Sequence, residues 1–252
     1  VGRSGRRKVV FKEFEVRDSE CAMKVGTDAL LLGAWAEVST SQRIIDGGTG
    51  CGIVALMVCQ RATHAQIIGV ELEPKAVREA KANMARSPWS SRISAIKDSL
   101  QSFGTRTEYK GYFDTFLINP PFFHGKPKSS DCARNLARHD DSLPIHVFLD
   151  VARDLLNETG SLQLIWPWDR WQELKKAAEA RDFSLLRNAE VHGRKDLDPS
   201  RVLSHWVKGI PSHESKNEVI WIETGERIKG LPQLSKRYKA LLNPYVVSWP
   251  GE

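Results

Sequence analysis

The chain has 252 residues, with 37 Lys and Arg against 31 Asp and Glu, a formal charge of +6. With 41% hydrophobic and 27% charged residues and a mean hydropathy of −0.38, its composition is that of a globular protein and excludes a disordered or membrane-embedded one. The longest apolar runs, residues 29–32 and 53–59, fall far short of the roughly 18 residues that cross a bilayer. The four cysteines, Cys21, Cys51, Cys59 and Cys132, form no Cys-x-x-Cys pair, so they read as reduced, buried thiols. The basic start has no apolar stretch ending in a small-residue cleavage site, so no secretory signal is expected and a cytoplasmic location is. The seven histidines show no ligand spacing, and no metal is expected. A pI near 9.2 favours an anionic partner.

In chain order, Ile44-Ile45 is a short apolar run ending in Asp46 and a glycine cluster, and residues 53–60 predict a helix. Residues 66–71 form a β-branched strand pattern ending in Glu71. Pro74 suits the first turn of a helix, where its missing N–H costs nothing, and good helix formers continue over 75–86. Residues 93–97 alternate apolar and polar and stop at Asp98. A buried strand over 113–118 ends at Asn119-Pro120-Pro121. A helix over 144–156, a strand over 161–166 and a helix over 168–181 follow. Such alternation indicates right-handed βαβ units and a parallel sheet. Strands over 183–191, 201–207 and 219–223, with only loops between them, predict an antiparallel edge. One domain with terminal extensions is expected.

Asp46-Gly47-Gly48-Thr49-Gly50-Cys51-Gly52 joins a strand to a helix. Glycines there let the backbone turn tightly and let a ligand approach closely. A structural turn and a dinucleotide fingerprint are the alternatives. Asp46 argues against a diphosphate, because its carboxylate repels phosphate and suits a cation. Glu71, at the end of the next strand, is placed to accept ribose hydroxyls, and Asp98 ends the third strand beside where an adenine would lie. An acid at each of three successive strand ends lines the crevice where open α/β sheets bind ligands. S-adenosyl-L-methionine, with its ammonium, sulfonium, ribose and adenine, matches this layout.

Asn119-Pro120-Pro121-Phe122 points to the chemistry. Two prolines fix the backbone and contribute no amide donors. The Asn119 side-chain oxygen and the Pro120 carbonyl can then accept both hydrogens of a planar amine, aiming its lone pair at a methyl donor. Phe122 can stack on the flat group that carries the amine. Basic residues cluster in the N-terminal arm with Arg6, Arg7 and Lys8, at Lys126 and Lys128, at Arg194-Lys195 and over 236–239. Lys126 and Lys128 directly follow the catalytic turn, where a nucleic-acid backbone must pass, with Arg138 soon after. Trp166, Trp168 and Trp171 read as core rather than as a base platform.

Together these residues resemble class I methyltransferases of the amino-methylating group. The stretch from Cys21 through Lys24, Thr27 and Asp28 to Trp35 is similar, more specifically, to the tRNA1(Val) adenine-37 N6-methyltransferase family. Similarity continues through Val70-Glu71-Leu72-Glu73, residues 83–93, Asn119 to Phe122, Ala137-Arg138-His139, Arg201-Val202-Leu203 and, more faintly, 235–238. The resemblance implies a Rossmann-like α/β fold, a mainly parallel seven-stranded sheet with an antiparallel C-terminal edge. It implies an N-terminal arm and cofactor-covering segment over 1–40 and a methyltransferase body over 41–252. It implies S-adenosyl-L-methionine as cofactor, tRNA as partner, and a monomer or weak dimer. Asp46, Gly48 and Gly50 would hold the methionine part and Glu71 with Leu72 the ribose. Asp98 with Ser99 would flank the adenine, and Asn119, Pro120, Pro121 and Phe122 would surround the target base. Lys24, Thr27 and Asp28 fall in the covering segment and, with Asn119, would contact the cofactor. Phe122 stands where Tyr is common, Gly47 replaces a usual apolar residue, and the tail beyond Tyr245 is unfamiliar. Glutamine-amide methylation of a translation factor, DNA adenine methylation and a catalytically silent RNA-binding module are the competing readings.

Overall fold

The computed structural model describes residues 8–121, 143–209 and 214–249. Strands β1 (Lys8–Val10) and β2 (Glu15–Arg17) make a small antiparallel hairpin, followed by helix α1 (Thr27–Trp35). The repeating part is β3 (Arg43–Gly47), α2 (Ile53–Arg61), β4 (Gln66–Glu71), α3 (Pro74–Arg86) and β5 (Ile93–Lys97). Next come α4 (Leu100–Gly104), β6 (Phe113–Ile118), α5 (Ile145–Leu155), β7 (Leu156–Pro167) and α6 (Trp171–Glu179). The chain finishes with β8 (Phe183–Arg194), β9 (Pro199–Lys208), β10 (Lys216–Ile228), β11 (Leu231–Leu234) and α7 (Lys236–Leu242).

One nine-stranded sheet runs in the order β11-β10-β8-β9-β7-β6-β3-β4-β5. The five strands from β5 to β7 are parallel, and β9 is antiparallel to both of its neighbours. Strands β3 to β9 make the expected seven-stranded sheet with β9 as its antiparallel member; the strand expected over 219–223 in that antiparallel edge is β10, which instead runs parallel to its neighbour, and β11 brings the sheet to nine. β10 joins β8 in parallel. Both edges of β9 are already occupied, so the chain leaving it pairs on the free edge of the neighbouring β8. The expected helix over 168–181 begins as a 3₁₀ turn over Trp168–Arg170.

Side chains of successive strand residues point to opposite faces, so each central strand feeds two cores. On β3, Ile44 packs with α1, α2 and α3, while Ile45 packs with α4 and α5. On β6, Leu117 belongs to the first core and Phe116 and Ile118 to the second. The result is three layers, helices on both faces of a mostly parallel sheet. Trp166 and Trp171 are buried in the second core and Trp168 packs against it, in keeping with their reading as core.

The tail beyond Leu242 is stitched in place. Phe11 bridges Val246, the Lys12 amide donates to the Tyr245 carbonyl at 2.8 Å, and the buried Tyr245 hydroxyl donates to the Met57 carbonyl at 3.1 Å. Among the described residues no helix is long and apolar enough to cross a membrane. None of their His, Cys, Asp and Glu side chains form a group of three able to hold a metal ion.

Candidate active site

The strand order reverses between β3 and β6: the β3-α2-β4-α3-β5 units run one way, and β6 returns to the other side of β3. Open α/β sheets bind ligands at such a switch point, beyond the carboxyl ends of the strands. The register pairs Gly47 with Ile118 on one side and with Val70 on the other. Gly48, Asn119 and Glu71 are therefore next positions on three adjacent strands, about 4.8 Å apart from strand to strand.

The glycine loop crosses this rim with Gly48 at φ 69° and Gly50 at φ 57°, conformations that L side chains rarely adopt. The amides of Gly48 and Thr49 both donate to the Val70 carbonyl, at 2.8 and 3.0 Å. A Cβ added to Gly48 or Gly50 would meet nothing within 4 Å, so open space lies over the loop. Asp46 lies just below, 1% exposed. One of its oxygens accepts from the Thr49 hydroxyl at 2.5 Å and from the Ala55 amide at 3.2 Å. The Ala55 amide is one of the first-turn donors of α2 that have no partner within the helix. The carboxyl thus binds the loop to the helix start, a role not evident from its place in the sequence.

Burial pushes the Asp46 carboxyl up to about 7, against the Thr49 and Ala55 hydrogen bonds that lower it, and nearby Glu71 adds to the rise. Held protonated in the fold but ionised when unfolded, Asp46 makes stability fall as pH rises from its ordinary 3.8 to about 7. His205, 6% exposed on β9, is pulled down to about 4 by burial and by Arg187, so it makes stability fall as pH drops from 6.5 to about 4. The two slopes oppose each other between those limits. Asp46→Asn removes one and exposes the other. In denaturant titrations the variant should be about 2 kcal/mol more stable at about pH 6.5 than at about pH 5, whereas the parent should be nearly flat. A flat variant would show that the two groups are misassigned.

Glu71 ends β4 with both oxygens engaged: one accepts from the Gly50 amide and the other from the Glu73 amide, each at 2.9 Å. Each oxygen keeps a further lone pair for a ligand hydroxyl. Leu72 follows, 65% exposed. The Asp98 amide donates to the Glu71 carbonyl at 3.0 Å, which keeps the two strand ends level. Its carboxylate accepts from Arg106 at 2.6 Å and from the Ser99 amide at 2.9 Å. Burial raises the Asp98 carboxyl, but the bonds from Arg106, Ser102 and Ser99 outweigh it and hold the group below its ordinary value. Ser99 caps α4, its hydroxyl accepting from the Ser102 amide at 3.0 Å. Arg106 is a partner that sequence reasoning missed, because nothing in the spacing marks it.

Asn119 leaves β6 at the same rim. Its side-chain oxygen is buried and has no hydrogen-bond partner among the described residues, an unusual state for a buried carbonyl oxygen. Pro120 beside it is buried and Pro121 half-buried. Phe122, Lys126, Lys128 and Arg138, with Arg6 and Arg7, lie outside the described residues.

In the covering segment, the Lys24 ammonium donates to the carbonyls of Asp18, Ser19 and Cys21 at 2.8, 3.0 and 2.8 Å. All three of its protons are used within the loop, so Lys24 shapes the segment. Thr27 is exposed at the start of α1. Asp28 pairs with Arg201 of β9 at 2.9 Å, which ties α1 to the sheet. Lys8 forms an ion pair with Glu15 across the terminal hairpin.

The residues at this rim suit a cationic nucleoside: the acids Glu71 and Asp98, with Asp46 buried beneath the loop, an open backbone cradle, and a buried acceptor in the Asn119 oxygen that has no partner among the described residues. Comparisons with known proteins agree in kind. The family model described as "Methyltransferase small domain" matches residues 19–180. The tRNA1(Val) (adenine(37)-N6)-methyltransferase of Bacteroides thetaiotaomicron is 39% identical over 225 residues, 88% of this chain and 93% of that protein. The protein of the same name from Histophilus somni is 33% identical over 248 residues, 97% of this chain and 99% of the relative. Among solved structures, a predicted O-methyltransferase from Agrobacterium tumefaciens superposes with a TM-score of 0.64 at 18% identity, covering 90% of this chain and 100% of its own. Pyrococcus horikoshii TYW2, solved in complex with MeSAdo, gives 0.55 at 13% identity, covering 79% and 70%. These two likenesses concern the fold alone. The sequence matches span most of both chains, and the protein belongs to the methyltransferase small-domain family and, within it, to the family named tRNA1(Val) (adenine(37)-N6)-methyltransferase.

Proposed function

We propose that this protein methylates the 6-amino group of adenine 37 in tRNA, the activity in its relatives' names, with S-adenosyl-L-methionine as donor. The observation that carries the reading is the Asn119 oxygen, buried beside the glycine loop and without a partner among the described residues. A buried acceptor without a donor is costly, and an amine brought to that rim would supply one. On this reading Asp46, Gly48 and Gly50 hold the methionine part, Glu71 and Leu72 the ribose, and Asp98 and Ser99 the adenine. Residues 1–40 form the arm and cover, with Lys24, Thr27 and Asp28 in it, and residues 41–252 the catalytic body. The protein would act in the cytoplasm.

The bound donor supplies a methyl group on a sulfonium, already a good leaving group. The chain's own work is positioning and electrostatics. Asn119 accepts one hydrogen of the amine and the Pro120 carbonyl accepts the other, which leaves the nitrogen lone pair as the free direction. Phe122 stacks on the base. No side chain must remove a proton before attack, and the surplus proton of the methylated amine passes to water.

Phosphate contacts position a nucleic acid while the base pocket selects the target. Neutralising both Lys126 and Lys128 is therefore expected to weaken tRNA binding without moving the methylated position. The slope of log affinity against log salt should fall by roughly 1.4–1.8 for two lost contacts. An unaltered slope in filter-binding titrations would remove these lysines from the interface. Mass-spectrometric mapping of the methylated nucleotide, after incubation with unmodified tRNA and donor, tests the whole reading; methyl transfer to protein alone would replace it.

A further inference from the structure

Asn83, on the inner face of α3, is 0% exposed and uses every hydrogen-bonding position that an amide side chain has. Its oxygen accepts from the Arg17 amide at 3.0 Å and from the Arg86 guanidinium at 2.6 Å. Its nitrogen donates to the Arg17 carbonyl at 2.8 Å and to the Cys51 carbonyl at 2.8 Å. The two bonds to Arg17 copy a strand pairing, so α3 takes the place of a neighbour for the last residue of β2. The fourth bond reaches the glycine loop, at the residue between Gly50 and Gly52. One side chain therefore joins the start of the covering segment to the loop it overlies.

Glu79 works beside it. Four residues apart on a helix, Glu79 and Asn83 share one face. The carboxylate of Glu79, 9% exposed, accepts from the Ser19 hydroxyl at 3.1 Å, the Glu20 amide at 2.8 Å and the Cys21 thiol at 3.4 Å. The segment is thus held by α3 at Arg17, Ser19, Glu20 and Cys21, and at its far end by Asp28 and Arg201. It spans the carboxyl end of the sheet from α3 to β9.

We infer that Asn83 is a positioning residue of the donor site, setting the glycine loop and the covering segment at a fixed separation so that both can close on S-adenosyl-L-methionine. This rests on the functional reading above. An amide is required because the two carbonyls need donors and the Arg17 amide needs an acceptor. Asp keeps the volume and the acceptors but not both donors, and Ala keeps neither.

The test is S-adenosyl-L-methionine binding by calorimetry on the full chain and on Asn83→Ala and Asn83→Asp. It is combined with tRNA affinity without donor, kcat at saturating donor, and hydrogen exchange of the donor-free protein. In each variant the donor Kd should rise about tenfold or more. The tRNA Kd should stay within about twofold and kcat within about threefold, and amides of residues 17–25 and 50–52 should exchange faster. A folded variant whose donor Kd stays within about twofold overturns the inference, as do equal losses of donor and tRNA affinity, which mark a general structural defect. If neither variant folds, Glu79→Gln decides, since it loosens only the covering segment: a donor Kd raised about threefold or more supports the anchor, and an unchanged one overturns it. Failure of the parent protein to bind the donor would sink the functional reading itself, a distinct result.

Discussion

Asn119→Ala is expected to lower methyl transfer to tRNA by on the order of 10²-fold or more, the scale of deleting one preorganised electrostatic contact at a reacting centre. Donor affinity should stay within about twofold, because on the proposed reading the side chain serves the acceptor amine and not the donor. The buried oxygen of Asn119 has no partner among the described residues, so removing that oxygen breaks no hydrogen bond among them. Loss of stability is therefore a poor explanation for loss of turnover, and a melting curve close to the parent's should accompany the dead enzyme. Single-turnover measurements with saturating donor and tRNA check this. Near-parental turnover would mean that the target amine is held elsewhere.

How far this site could be read from sequence depends on whether each contact is local. Strand ends carrying Asp46, Glu71 and Asn119 are readable because apolar runs stop at them, parallel strands buried on both faces leaving clear apolar blocks, while the edge strand β5 alternates and stops at Asp98. Helix α3 was readable from Pro74 and its helix formers; the Glu73 carboxylate completes the start by accepting from the Ala76 amide at 2.7 Å. Helix α1 gives no such signal. Ala29, Leu31, Leu32, Gly33, Ala34 and Trp35 are all buried, so no polar face alternates with an apolar one and the helical period is missing.

What the sequence could not show is which polar groups the fold pairs, within a loop or across long separations. Asp46 reads as a ligand for a cation, yet one of its oxygens is occupied by Thr49 and Ala55. Lys24 reads as a cofactor contact, yet three carbonyls of its own loop saturate it. Asp28 meets Arg201 across 173 positions, and Asn83 meets Arg17 across 66. No periodicity or spacing rule reports such pairs: the first two turn on loop conformation and the last two on how distant elements pack. The same holds for β10, whose parallel pairing with β8 follows from which edges are already taken.

The second large effect concerns Glu71. Its carboxylate is already fastened at both oxygens, to the Gly50 amide at 2.9 Å and to the Glu73 amide at 2.9 Å. The first bond holds the glycine loop against β4, and on the proposed reading the remaining lone pairs accept the ribose hydroxyls. Glu71→Ala removes both the charge-assisted acceptors for ribose and the tether on Gly50. Donor affinity should fall by roughly 1–3 kcal/mol for the lost bonds to a charged acceptor, which is about 5- to 150-fold in Kd. Glu71→Gln separates the two roles. A glutamine can keep one acceptor oxygen toward the Gly50 amide, but its NH₂ then faces the Glu73 amide and cannot accept from the second hydroxyl. Its affinity should therefore lie between those of the parent and the alanine variant. With kcat at saturating donor little changed in both, the effect belongs to donor binding and not to the methyl-transfer step. Calorimetric titration with S-adenosyl-L-methionine and with adenosine alone adds the last distinction. Adenosine carries the ribose but no ammonium or sulfonium, so it should lose affinity by a similar factor if Glu71 holds the hydroxyls. If adenosine binding is untouched while S-adenosyl-L-methionine binding weakens, Glu71 acts on the cationic part and the ribose lies elsewhere along the rim.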